Sequence, residues 1–308
     1  MTCRAALLIA FAALAVTSSC ARGPGDVLRR PCNVDVRDNG EVLVSDFHNV
    51  RVVVFDPQGQ MVTSVGSRGF GQGELWGVGD VAVLPDGGFA VINQARASLD
   101  DLSTPRPEVK IFDADGVETA AFSTLLGVDV SSLPTGVAVI PDGLAVSDIG
   151  HHRISLFSSK GLPVRVIDRI KGGPPVAAPS GLRFRGGRLW IAEGKRHRVR
   201  ALSLDGQQIL SVGSEGSEDG QMLFPHAVDV APEGWFVVAD LGNYRLQRFS
   251  AQGEHLLTIT PSPARADVRV QLNDVAVGPA GLIYAVDAKG DRVLVYSSEG
   301  ALVRVIGG

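Results

Sequence analysis

An apolar residue followed four positions later by glycine recurs six times, as Phe55/Gly59, Phe112/Gly116, Phe157/Gly161, Leu202/Gly206, Phe249/Gly253 and Tyr296/Gly300. Each glycine lies in a polar turn between two runs of alternating apolar residues, the pattern of a β-hairpin. A second turn glycine precedes each of them, at Gly40, Gly87, Gly143, Gly187, Gly234 and Gly281. Between the two stands an acid or amide: Asp46, Asn93, Asp148, Glu193, Asp240 and Asp287, at intervals of 47, 55, 45, 47 and 47 residues. Each unit reads as four short strands, in the first case Asn33–Val36, Glu41–Ser45, Val52–Phe55 and Met61–Val65. One such unit has two apolar faces and cannot bury both alone, so the units must stack on one another. The pattern predicts an all-β chain, a six-bladed β-propeller of four-stranded antiparallel blades over residues 31–308. Sequence unit and blade coincide. Closure is therefore expected from packing of blade six on blade one, with Val27–Arg30 placed to pair with an exposed edge.

The wording of the units resembles the NHL-repeat family, in its bacterial lipoprotein form. Blade three has PTGVAVIPDG at 134–143, AVSD at 145–148 and HRISLF at 152–157. Blade five has PHAVDV at 225–230, VAD at 238–240 and NYRLQRF at 243–249. The family's glycine-rich linker is matched by GSRGFGQGEL at 66–75 and GSEGSEDGQML at 213–223. The resemblance implies the fold and leaves the function open, since enzymes, RNA-binding modules, receptor ectodomains and adaptors share it.

The acid of the second strand is followed five residues later by arginine in five blades: Asp46/Arg51, Asp148/Arg153, Glu193/Arg198, Asp240/Arg245 and Asp287/Arg292. In blade two the two positions hold Asn93 and Glu108, across an insertion. Both partners change together, which predicts a structural ion pair across the hairpin rather than a ring of catalytic acids.

The amino terminus reads as an export signal. Arg4 precedes an apolar run, AALLIAFAALAV at 5–16, that is too short to span a membrane as a helix. Thr17-Ser18-Ser19-Cys20 follows and resembles a lipoprotein cleavage box with Thr17 where leucine is usual. Residues 1–19 are thus expected to leave, Cys20 to carry lipid, and residues 20–30 to act as a tether. Ordinary cleavage near Ala21 is the other reading, with Cys20 free to pair with Cys32. The expected address is the bacterial cell envelope, lipid-anchored in one case and secreted or periplasmic in the other. No membrane-spanning helix would remain.

In a propeller, the loops before first strands and between second and third strands share one face, taken here as the top. The residues entering the first strands are candidates for its mouth: Asn33, Asp80, Thr135, His226, Asn273 and Asp274. Further along lie Asp35, Arg183 and Asp229, opposite Ala82, Ala138 and Ala276. His48, His151, His152 and His197, with Tyr244, fall in second-to-third-strand loops. Imidazoles suit a metal site, yet Asn-His before the paired arginine is also a feature of the repeat. The insertion QARASLDDLSTPRP at 94–107 brings Arg96 and Arg106 to the same face, as a binding loop or a tolerated surface insertion.

The formal charge of −4 and the scattered arginines argue against nucleic acid as a partner. No catalytic constellation stands out. The expected function is therefore a membrane-tethered binding or scaffold module that presents its top face to a protein, peptide or glycan. The alternative is a metal-dependent propeller enzyme. Similarity to peptide-amidating lyases would imply zinc on Pro-His entries, of which only Pro225-His226 is present. A lactonase-like site would place a calcium-type ion on Asp80, Asn273 and Asp274. The fold itself requires no cofactor, and a divalent ion is the one such group that these residues admit.

Overall fold

The computed structural model describes residues 28–94, 106–124 and 132–307; the apolar run at 5–16, Cys20 and Arg96 lie outside them. The described strands form six four-stranded antiparallel sheets, each built from strands consecutive in sequence. The chain is a six-bladed β-propeller. The innermost strands are Pro31–Val36, Val78–Val83, Pro134–Ile140, Pro179–Arg185, Pro225–Val230 and Leu272–Val277. Each touches the innermost strands of both neighbouring blades.

The burial pattern explains the stacking. Second strands such as Val42–Asp46, Phe89–Asn93 and Phe236–Asp240 are buried at every position. A strand covered on both faces must lie between two other sheets. The outermost strands, such as Met61–Val65 and Pro163–Ile167, are exposed along most of their length.

The landmark glycines sit at the seams. Gly253 has a φ of +89°, and a Cβ there would lie 2.4 Å from a methyl of Val212, in the outermost strand of blade four. Gly59 repeats the arrangement against Ile306 of blade six at 3.1 Å, so the ring closes with the same contact. Glycine is needed both for the left-handed backbone and for the close approach of the preceding blade.

Closure follows the expected route, since blade six packs on blade one and every sheet keeps its own four strands. The segment before blade one departs from expectation. Residues 28–30 form no strand; instead Leu28, 1% exposed, plugs the core between blades six and one. The Arg29 carbonyl accepts from the His48 amide, and the Arg30 amide donates to Asp291 Oδ1 at 2.6 Å. An apolar side chain gains more from filling that wedge than from an edge ladder in water.

The acid–arginine pairs form in all five blades. Arg51, Arg198, Arg245 and Arg292 place Nε 2.7–3.0 Å from Asp46, Glu193, Asp240 and Asp287, and Arg153 places Nη2 3.3 Å from Asp148. The other carboxylate oxygen has a second use. It accepts the main-chain N–H of Arg29, Leu133, Ala177, Leu223 or Gln271, just before each innermost strand. In blade two Asn93 Oδ1 accepts from Trp76 N at 2.8 Å while Nδ2 donates to Glu108. The side chain thus fastens the third strand and the incoming linker to one point.

Replacing Asp240 with alanine strands Arg245 and frees the amide of Leu223, so it should cost about 3–5 kcal/mol. Asn93→Ala breaks a neutral-to-charged pair in the same position and should cost less, about 1–3 kcal/mol. Urea unfolding of the two variants beside the parent checks the order; equal losses would contradict it.

Candidate functional site

Of the residues expected at the top mouth, Asp80, Thr135, His226 and Asp274 bridge blades through their side chains, and neighbouring residues join them. Cys32 Sγ, a free thiol, lies 3.4 Å from the Val78 carbonyl of the next blade. Thr135 Oγ1 donates to Pro179 O at 3.0 Å, and Ser180 Oγ to His226 O at 2.7 Å. His226 Nδ1 lies 2.5 Å from the Asn273 carbonyl. A carbonyl can only accept, so Nδ1 carries the proton and Nε2 the lone pair. Asn273 Oδ1 in turn accepts from Gln271 Nε2. In blade two the same seam is crossed by Gln94 Nε2, which donates to Pro134 O at 3.1 Å.

Deeper in the channel four carboxylates do likewise. Asp80 and Asp274 accept the amides of Val137 and Val34 at 2.8 and 2.9 Å. Asp35 and Asp229 accept those of Val83 and Val277, each at 2.7 Å. Each carboxylate thus binds the inner strand of the following blade. Asn33, half-buried, holds the register position on blade one that Asp80 and Asp274 hold on blades two and six.

One guanidinium serves all four. Arg183 reaches across the axis from blade four to donate to Val34 O of blade one at 2.8 Å. Its nitrogens lie 3.5 Å from Asp35, 3.8 Å from Asp229 and 3.9 Å from Asp274. Burial opposes its charge, but the surrounding carboxylates outweigh that and hold it protonated. A single cation cannot match four anions. Burial, and then the charge of Asp274, push Asp80 well above the usual carboxylate range. Burial likewise raises Asp229, and takes Asp274 up to about 6.

The loop histidines are also occupied with the scaffold. His152 and His197 have left-handed backbone, with φ of 55° and 52°. Their Nδ1 atoms accept the amides of Ala178 and Phe224, the residues before the next inner strands. His151 Nδ1 pairs with Asp148 at 2.8 Å. Tyr244 stacks under the Arg269 guanidinium, 5.4 Å from its ring centre. Arg106 is exposed at the C-terminal base of the insertion. Among the described residues, no three His, Cys, Asp or Glu side chains stand together to hold a metal. Among the described residues His226 has no such set around it; its Nδ1 is bonded to the Asn273 carbonyl, and burial disfavours the charged ring.

Two cavities involve residues that the repeat pattern does not single out. On the top face, one of about 380 Å³ is lined by Phe47, His48, Arg68, Trp76, Gln94, Pro107 and Leu133. Phe47 and Trp76 are each 39% exposed, and Phe70, 59% exposed, stacks on Trp76 with ring centres 4.5 Å apart. The Arg68 guanidinium lies 5.7 Å from the Trp76 ring centre. This cavity adjoins both ends of the blade-two insertion. The second, of about 480 Å³, opens at the other end of the axis, among the first-to-second-strand turns. The sequence signal for the first was Phe47, Phe70 and Trp76, three aromatic residues in the turn and linker segments of one sector.

No family model matches the chain. Several solved structures are similar over most of its length. A catalytically inactive virginiamycin B lyase from Staphylococcus aureus with quinupristin has a TM-score of 0.60 at 14% identity, covering 91% of this chain and 85% of that one. A streptogramin B lyase gives 0.62 at 11% identity, covering 92% and 84%. A chain of the nidogen/laminin complex gives 0.61 at 13% identity, covering 84% and 91%. At these identities the likeness is one of fold.

A carboxyl whose folded pKa is raised contributes stability below its unfolded pKa and loses it as pH rises through the folded value. Asp274→Asn removes that loss. Its stability relative to the parent should therefore rise from about pH 4 to about pH 6 and level off above that. Chemical unfolding across that range measures it. A difference that stays flat with pH would show that Asp274 is not perturbed.

Proposed function

We propose that this chain is an extracytoplasmic binding module of the NHL-repeat type, tethered to a bacterial membrane through lipid on Cys20. It presents its top face to a protein, peptide or glycan. The aromatic sector carries this reading. Aromatics make up only 6% of the chain, yet Phe47 and Trp76 stand exposed on one cavity, with exposed Phe70 stacked on Trp76. Covering such side chains contributes roughly 1.5–3 kcal/mol each when burial is complete. Clusters of this kind at a surface mark contact sites.

The sector is also held in place. The Trp76 amide donates to Asn93, and Gln94 N donates to Gly77 O at 2.6 Å. The blade-two departure from the acid–arginine pair thus anchors the tryptophan and the root of the insertion together. A rigid platform loses little entropy on binding. Within this reading, Arg106, exposed at the C-terminal base of the insertion, supplies a polar contact at its edge.

A catalytic reading has one observation in its favour: Asp80 and Asp274 are buried near each other with raised pKa values, as acid–base groups often are. Two of the similar structures are lyases. On this reading the chemistry would lie at the channel mouth, and turnover would vanish in Asp274→Asn while the fold persisted.

Trp76→Ala and Phe70→Ser should each weaken capture of the envelope partner at least tenfold. Phe224→Ser, which alters an exposed aromatic in another blade, should leave it unchanged. Cys20→Ser should move the protein from the membrane fraction to the soluble one without altering capture. Capture that survives Trp76→Ala and Phe70→Ser, scored by quantitative pull-down, would overturn the assignment of the face. A Cys20→Ser protein that stays in the membrane fraction would overturn the tether.

A further inference from the structure

The cavity of about 480 Å³ at the lower end of the axis lies on the opposite side of the Arg183 crossbar from the top mouth. Its walls are Asp35, Ala82, Ala138, Arg183, Arg185 and Asp229 from the inner strands, with Arg37, Asp38 and Leu84 from the turns beyond them. Its volume falls in the range of small-molecule sites. The space exists because Ala82 and Ala138 stand where blades one, four and five carry Asp35, Arg183 and Asp229.

The two ends of this cavity carry different unsatisfied capacity. At the axial end, each oxygen of Asp35 accepts one amide, from Val36 and Val83. Each retains a further acceptor site. Arg183 stands 3.5 Å from Asp35 and 3.8 Å from Asp229, within attraction but outside good hydrogen-bond length. Asp35 is also 18% exposed, against 2% for Asp229, so it faces the cavity. At the rim, Arg37 Nη1 donates to Glu41 at 2.8 Å. Its Nε and Nη2 are buried and have no partner among the described residues. Unmet buried donors destabilise the fold, a cost that an acceptor from outside the chain would remove. Arg185 stands exposed at the end of the inner strand of blade four. Residues 35 and 37 are two apart along one chain and so share a face, roughly 7 Å from Cα to Cα.

We infer that this cavity is a second ligand site, taking a small zwitterion of basic amino-acid chemistry, with its carboxylate on Arg37 and Arg185 and its ammonium or guanidinium on Asp35 and Asp229. The carboxylate fills the spare donors of Arg37, where a planar fork favours two parallel bonds. The cation meets Asp35 and Asp229, which share Arg183 between them. This site lies on the other face from the aromatic sector and does not depend on it.

Calorimetric titration of the purified full-length protein tests the inference, with L-arginine and L-lysine as probes and agmatine as the arginine skeleton without its carboxylate. Saturable one-to-one binding of at least one amino acid is expected, with agmatine at least tenfold weaker than arginine. Arg37→Gln should weaken the amino acid at least tenfold and leave agmatine unchanged; its rim position makes loss of the fold no part of the expectation. Asp35→Asn should weaken the amino acid and agmatine alike. Trp76→Ala should alter neither, which separates this site from the top-face reading. No saturable heat with either amino acid, equal affinity for arginine and agmatine, or indifference to Arg37→Gln would overturn the inference.

Discussion

Each seam of this ring is held near the axis by a side chain of one inner strand bonded to the main chain of the next. Asp35 and Asp80 join blades one to two and two to three; Thr135 and Ser180 join three to four and four to five. His226 and Asp229 both join five to six, and Asp274 closes six onto one. The main-chain groups they satisfy face a narrow channel where no sheet neighbour exists. Left alone, each would cost about 1–3 kcal/mol. The device is thus required by the geometry of a closed ring. It has a consequence in charge, since four of the bridging groups are carboxylates and only Arg183 answers them.

That imbalance links architecture to chemistry. Arg183 lies between the upper pair, Asp80 and Asp274, and the lower pair, Asp35 and Asp229. The two ends of the channel differ in character. The upper end is committed to bridging hydroxyls, a thiol and an imidazole. The lower end keeps open volume, a partly exposed carboxylate and an arginine with spare donors. The surface for a large partner lies elsewhere again, on the rim of the top face beside the blade-two insertion.

Much of the fold was legible in the sequence, because a ring of equal blades writes one set of constraints six times. Gly59 and Gly253 mark turns pressed against the preceding blade, and Asp46 with Arg51 marks a hairpin fastened to its linker. Even the blade-two exception was visible as a paired change, Asn93 with Glu108. Site geometry was less legible. Thr135 and His226 read as mouth residues by position, but a sequence does not show that their polar atoms meet the next blade's carbonyls. His152 and His197 looked like loop imidazoles, while their left-handed backbone turns Nδ1 onto the following linker. Phe47, Phe70 and Trp76 come from a turn and a linker, and only the folded path of that linker makes them one surface. Leu28 read as tether, and its burial depends on a wedge that exists only once the ring closes.

The central claim is that side chains at the axis hold the seams. Amide hydrogen exchange at Val34, Val83, Val137 and Val277 tests it most directly, since these four N–H groups donate to carboxylates of the preceding blade. The account predicts that all four exchange only through global unfolding, with protection equal to that of the most protected second-strand amides. Exchange at the faster rates of the outermost strands, while the second strands stay protected, would show that the seams open on their own and would contradict it.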